Sequence, residues 1–156
     1  MLLEDQDRSL WNRAQIEEGV TLVARAFASR RPGPYVLQAA IAAVHAGSPA
    51  ARATDWGRIV ALYDLLVSVA PSPVVELNRA AAVAMRDGPA AGRDLIEDIL
   101  ARGELRDYQP AHAARAELCR RLGRNAEARA SCERAIALVQ QRSLRRYLEQ
   151  RLRELP

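Results

Sequence analysis

Apolar residues, most of them small, recur at a fixed interval in the second half of this chain. Ala80, Gly92 and Ile99 return 36 residues later as Ala116, Ala128 and Ala135. Farther back, Ile59, Tyr63, Leu66 and Pro71 form a similar stretch about 33 residues before the middle unit, so the spacing straddles the roughly 34 residues of a two-helix repeat. A unit of that length cannot bury its apolar face alone and must stack on its neighbours. Aromatic residues make up only 4% of the 156, so a core has to come from close approach of helices lined with Ala and Leu rather than from large rings. The length suits a single domain over 1–156. The expected architecture is all-α: a right-handed stack of antiparallel helical hairpins, about seven or eight helices, with a C-terminal capping helix.

Turn residues and caps divide the chain. Residues 1–11 lack sustained periodicity and predict an extended lead-in lying against the body. Residues 12–71 predict the first helices. Asn12 caps one that carries Ile16, Val20, Val23 and Phe27 on an apolar stripe and ends near Arg30, at Arg31-Pro32-Gly33-Pro34. A second runs from about Tyr35 to His45. A third spans Trp56 to about Val69, capped by Thr54 or Asp55 and stopped by Ala70-Pro71. Residues 72–142 hold the two clearest repeat units, with helices from Pro73 to about Met85 behind a Ser72 cap, Ala90 to Ala101, Pro110 to Leu122, and Ala126 to about Gln140. Ser143 predicts the cap of a final amphipathic helix within 143–156, whose Leu144, Leu148, Leu152 and Leu155 close the open end of the stack.

The 23 basic residues are all Arg and face 19 acids, for a net charge of +4. Along most helices the two signs interleave, which predicts solvated, salt-bridged faces in preference to a nucleic-acid surface. Cys119 and Cys132 lack zinc-site spacing and companions, and predict reduced, buried thiols. No apolar run approaches the roughly 20 residues that span a bilayer, and the acidic stretch Leu2 to Asp7 is unlike a signal peptide. A soluble, cytoplasmic protein with no membrane partner is the expectation.

Chemistry-bearing residues are sparse. His45 and His112 stand in different repeats without Cys or carboxylate partners at ligand spacing, Ser72 and Ser143 are better explained as caps, and no Gly-rich phosphate loop or nucleophile elbow occurs. Glu4-Asp5-Asp7 and Glu97-Asp98 lack the alternation of a calcium loop. The expectation is no enzyme, no metal and no cofactor. Trp11 and Trp56, near helix starts, predict packing anchors. The most pointed loop is Asp87-Gly88-Pro89: Gly supplies a turn conformation and Pro pre-sets the next helix. Asp87 owes no cap if Pro89 opens that helix, and Asn78 and Arg79 lie about two turns back, so a contact site is the second reading of this loop.

Two resemblances follow. Gly123-Arg124-Asn125-Ala126-Glu127-Ala128-Arg129, continuing through Cys132, Ala135 and Leu138, resembles the second helix of a tetratricopeptide repeat, although the Trp-Leu-Gly-Tyr signature of the first helix is missing. Over nearly the whole chain, Gln6 to Arg13, Arg31 to Tyr35, Leu37 to His45, Thr54-Asp55-Trp56, Ile59 to Asp64, Pro71 to Val75, Leu77-Asn78-Arg79-Ala80 and Asp87-Gly88-Pro89 resemble the C-terminal extension of bacterial extracytoplasmic-function sigma factors. In that family a tetratricopeptide-like extension follows the sigma regions, and an Asp-Gly-Pro motif in it is associated with sigma activity. The fourth motif position, often Ile or another apolar residue, is Ala90 here.

The resemblance implies a regulatory interaction domain whose partners are the sigma regions of the same factor and the RNA polymerase core, with no direct DNA contact. Asp87, Gly88 and Pro89 carry over by motif. By repeat position, Gln38, Asn78, Glu117, Arg120 and Arg121 are the candidates for a concave binding face, with Arg79 next to Asn78 about two turns back from the loop. The alternative is a free-standing tetratricopeptide-like scaffold for an unrelated peptide. A last reading is nucleic-acid binding through Arg142, Arg145, Arg146, Arg151 and Arg153, in a patch that Glu149 and Glu154 interrupt.

Overall fold

A computed structural model of the chain describes residues 7–28 and 32–155. Residues 1–6 of the expected lead-in, with Glu4 and Asp5, and Arg30 and Arg31 at the first helix end lie outside the described residues. Among those described there are eight α-helices, two short 3-10 turns and no strand. Within each of the two units consecutive helices pack on one another, which is the all-α stacking the repeat spacing requires. None is long and apolar enough to cross a membrane. The chain forms two compact units, Met1–Val75 and Glu76–Pro156.

In the first unit, α1 (Arg13–Phe27), α2 (Pro34–Gly47) and α3 (Trp56–Val69) form an α1–α2–α3 series. The caps follow the sequence: Asn12 Oδ1 accepts from Gln15 N at 3.2 Å, and Asp55 Oδ1 from Arg58 N at 2.9 Å. Asp55, rather than Thr54, is therefore the cap. The core is Leu37, Ala40 and Ile41 of α2 against Ile59, Val60, Leu62 and Leu66 of α3. No residue of α1 is fully buried. Ile16, Val23 and Phe27 are half-buried, but Val20 is exposed, because the packed face is turned toward Gly19 and away from Val20.

Within the described part of the expected extended lead-in, Asp7 and Trp11 are extended and the three residues between them are not. Arg8–Leu10 is a 3-10 turn, capped by Asp7, whose Oδ1 accepts from Ser9 N at 2.9 Å and Ser9 Oγ at 2.6 Å. The turn aims Arg8 inward. Its side chain is buried, and Nη1 donates to the carbonyls of His45 at 2.9 Å and Ser48 at 2.6 Å, at the C-terminal end of α2. A helix C-terminus carries unpaired carbonyls and partial negative charge, so it suits a guanidinium.

The boundary between the units falls inside α4 (Pro73–Asp87). In the second unit, residues 76–87 of α4 are followed by α5 (Pro89–Ala101), α6 (Gln109–Arg121), α7 (Asn125–Leu138) and α8 (Arg142–Arg153). Leu77, Ala80 and Ala84 pack with Ile96, Ile99, Ala111 and Leu118. Cys132, Ala135 and Val139 pack with Leu148, joined by Leu144 and Leu152. Cys119 and Ala128 close on Leu155. The repeat positions therefore share an environment: Ala80, Gly92 and Ile99 are buried, as are Ala128 and Ala135, and Ala116 is half-buried. The α6–α7 turn is closed by Gly123 N to the Arg120 carbonyl at 3.0 Å and Arg124 N to the Cys119 carbonyl at 2.9 Å, the bond pair of a Schellman motif.

The final helix starts earlier than expected. Gln141 is its N-cap residue, with Arg145 N bonding the Gln141 carbonyl at 3.0 Å, so Ser143 lies within the first turn and does not cap. The guanidinium of Arg145 reaches back to the Val139 carbonyl at 2.9 Å and fixes the entry to the helix.

Candidate functional site

The elbow between α4 and α5 is built by three residues with separate tasks. Gly88 has φ +100° and ψ 164°, a backbone region essentially restricted to glycine. Pro89 occupies the first turn of α5, where its missing N–H is no loss. Gly92 lies on the next turn, and a Cβ there would stand 2.4 Å from Ala84 Cβ and 2.6 Å from the Ala80 carbonyl oxygen. Only a residue without a side chain lets the two helices cross so closely.

Asp87 is the last residue of α4 and projects from this elbow, with its side chain 42% exposed. Arg86 grips it in a fork, Nε to Oδ1 and Nη2 to Oδ2, both 2.8 Å. These charge-assisted bonds hold the carboxyl below its ordinary pKa. Met85, 45% exposed, is two residues back and so on the other side of α4, where Nη1 of Arg121, at the end of α6, is 3.9 Å from its Sδ. The carboxylate and the thioether–guanidinium pair therefore stand on different sides of the end of α4, and Asp87 with Arg86 forms the charged feature of the elbow.

The other sequence candidates distribute differently. Asn78 is exposed on α4 but sits half a turn around the helix from Asp87, so the two do not share a face. Arg79 is half-buried. Glu117 ties helices together: its Oε2 accepts from Arg151 Nη2 of α8 at 2.7 Å, while Arg120 donates to both oxygens at 2.7 and 2.9 Å. Burial pushes its carboxyl up, but the bonds from Arg120 and Arg151 outweigh that and leave its pKa below the ordinary value. Gln38 is an exposed residue of α2, in the first unit.

No group of three or more His, Cys, Asp or Glu that could hold a metal occurs among the described residues. His112 Nε2 lies 2.8 Å from the Arg106 carbonyl in the loop before α6. The His45 ring meets Trp56 edge to face, centroids 5.1 Å apart, and Arg8 lies 5.0 Å from the Trp11 ring centroid. Burial lowers the His45 pKa and the Arg8 charge lowers it further. Sequence reasoning assigned no role to Arg8, although an Arg three residues before a Trp, in a segment expected to lie against the body, was the available signal.

The chain is 46% identical over 155 residues, 99% of its length, to an uncharacterized protein of Rhizobium meliloti (strain 1021). It spans 36% of that relative. No family model matches the chain, and no solved structure matches it.

Proposed function

We propose that this chain is a non-catalytic protein-interaction domain that regulates an extracytoplasmic-function sigma factor by contacting the sigma regions or the polymerase core. The observation that carries this reading is the division of labour at the elbow. Gly88, Pro89 and Gly92 are each accounted for by backbone geometry and helix crossing, whereas Asp87 caps nothing in the first turn of α5 and its carboxylate faces solvent. A conformationally fixed, exposed carboxylate that caps no helix has the character of an interaction anchor. The choice of partner rests on the resemblance of long strings of the sequence to that family's C-terminal extension. A relative in which the matching region is 36% of a longer protein accords with a domain that works as part of a larger factor.

The test is a pull-down of the 156-residue chain against separately expressed sigma regions and core polymerase, with Asp87→Ala in parallel. Binding by the wild type and loss in the variant, with unchanged helical circular dichroism, is expected. Absence of binding by either protein shifts the reading to a scaffold for an unrelated peptide.

A further inference from the structure

The excess charge of this protein is concentrated in one helix. α8 contains five arginines, Arg142, Arg145, Arg146, Arg151 and Arg153, and one acid, Glu149, so its net charge of +4 equals that of the whole chain. The remaining residues balance to zero.

The structure sorts these arginines into two sets. Arg145 donates to the Val139 carbonyl, and Arg151 bridges Glu117 at 2.7 Å and Glu154 at 3.2 Å. Both are committed within the unit. Glu154 is engaged as well, by Arg151 and by Gln150 Nε2 at 3.0 Å. Arg142, Arg146 and Arg153 are exposed and have no hydrogen bond or ion pair among the described residues. At 3.6 residues per turn they fall within about 40° of one another, in a row roughly 16 Å long. Glu149, half-buried, lies about 20° from Arg142 and between Arg146 and Arg153 along the axis, so the row holds three exposed guanidiniums and one partly covered acid. Leu144, Leu148 and Leu152 hold the opposite face against the α7 core, which fixes the row outward.

We infer that this face of α8 binds the sugar-phosphate backbone of a nucleic acid. A straight row of guanidiniums suits phosphates, which need charge and forked donors but no apolar complement. A protein partner would look for a desolvated apolar or aromatic anchor within the patch, and the row has none. A membrane-surface helix needs a free apolar face, and that of α8 is buried in the protein. This inference stands apart from the sigma-factor reading, and it revises the sequence-based expectation of no DNA contact. Of the two acids that interrupt the patch in sequence, Glu154 is engaged by Arg151 and Gln150, and Glu149 stays on the stripe but half-buried, so the exposed charge there is that of three arginines.

Binding of a labelled mixed-sequence duplex of about 20 base pairs to the 156-residue chain, followed by fluorescence anisotropy, tests this. Three phosphate contacts predict a slope of log K against log salt near −2.7, or about 40-fold weaker binding between about 50 and about 200 mM salt. R142Q/R146Q/R153Q should abolish most of the binding and flatten the slope. R13Q/R25Q/R58Q removes equal charge from exposed positions of the first unit and should leave binding within about twofold. Equal binding by wild type and the α8 variant, equal weakening by both variants, no binding at the lower salt, or tighter binding to phosphatidylserine vesicles than to the duplex would each overturn the proposal.

Discussion

Gly92 and Gly88 illustrate how single positions in this chain act through opposite terms. At Gly92, alanine brings better helix propensity, worth about 1 kcal/mol, but its Cβ would stand 2.4 Å from Ala84 Cβ and 2.6 Å from backbone oxygen. Overpacking of about 1–3 kcal/mol wins, because the backbone oxygen cannot swing aside. Gly92→Ala should therefore lower stability by about 1–2 kcal/mol in urea denaturation, and Gly92→Val by more. At Gly88 the space is open and the conformation is the constraint. Gly88→Ala should lose about 1–2 kcal/mol, while Asp87→Asn, at an exposed pair, should leave the melting temperature unchanged. A melting shift in Asp87→Asn comparable to that of Gly88→Ala would show that Asp87 has a folding role after all.

At the scale of elements, the end of α2 depends on a residue outside it. Arg8→Met removes the charged donor of the His45 and Ser48 carbonyls and should destabilise the first unit by about 2–4 kcal/mol, measurable by denaturation. Lysine should rescue only partly, since a point charge cannot reproduce the planar guanidinium stacked by Trp11. His45, at the same helix end, makes this region sensitive to acid. Its folded pKa lies below the ordinary value, chiefly through burial and then through Arg8, so the unfolded chain binds the proton first as pH falls. Stability is then lost as pH drops through about 6.5 toward the lower folded value, and the slope vanishes below both. The melting temperature of wild type should fall between about pH 7.5 and about 5.5, and that of His45→Gln should fall less. An identical drop in both proteins would assign the pH dependence to other groups.

For the molecule as a whole, the last helix is both a lid on the second core and the carrier of the net charge. Cys132 Sγ lies 3.4 Å from the Leu148 carbonyl, Cys119 packs near Leu155, and burial pushes both thiols up in pKa. The intact chain should leave both unreactive to a thiol reagent under native conditions, and truncation after Gln140 should expose Cys132 to rapid labelling. Protection of Cys132 in the truncated protein would mean that α8 does not close the stack.

Much of this architecture is legible in the sequence. The period near 34 residues, the caps Asn12 and Asp55, the helix-opening prolines and the leucine spacing of α8 are local or strictly periodic signals, and each is set by backbone chemistry within one or two turns. Ser143 failed as a cap because the fold anchors Arg145 to Val139 and starts the helix two residues earlier than propensity suggests. Gln38, Asn78 and Glu117 were grouped by repeat position, yet Asn78 faces away from Asp87 and Glu117 is occupied by Arg120 and Arg151. Sequence alone determined that the chain folds into helices, where most of them begin and end, and that Gly88 must turn the chain before Pro89. Tertiary structure decided which charges are spent and which remain free. Whether an arginine finds a carboxylate 34 positions away, as Arg151 finds Glu117, or a carbonyl 40 away, as Arg8 finds that of Ser48, depends on packing across elements, to which local sequence periodicity is blind.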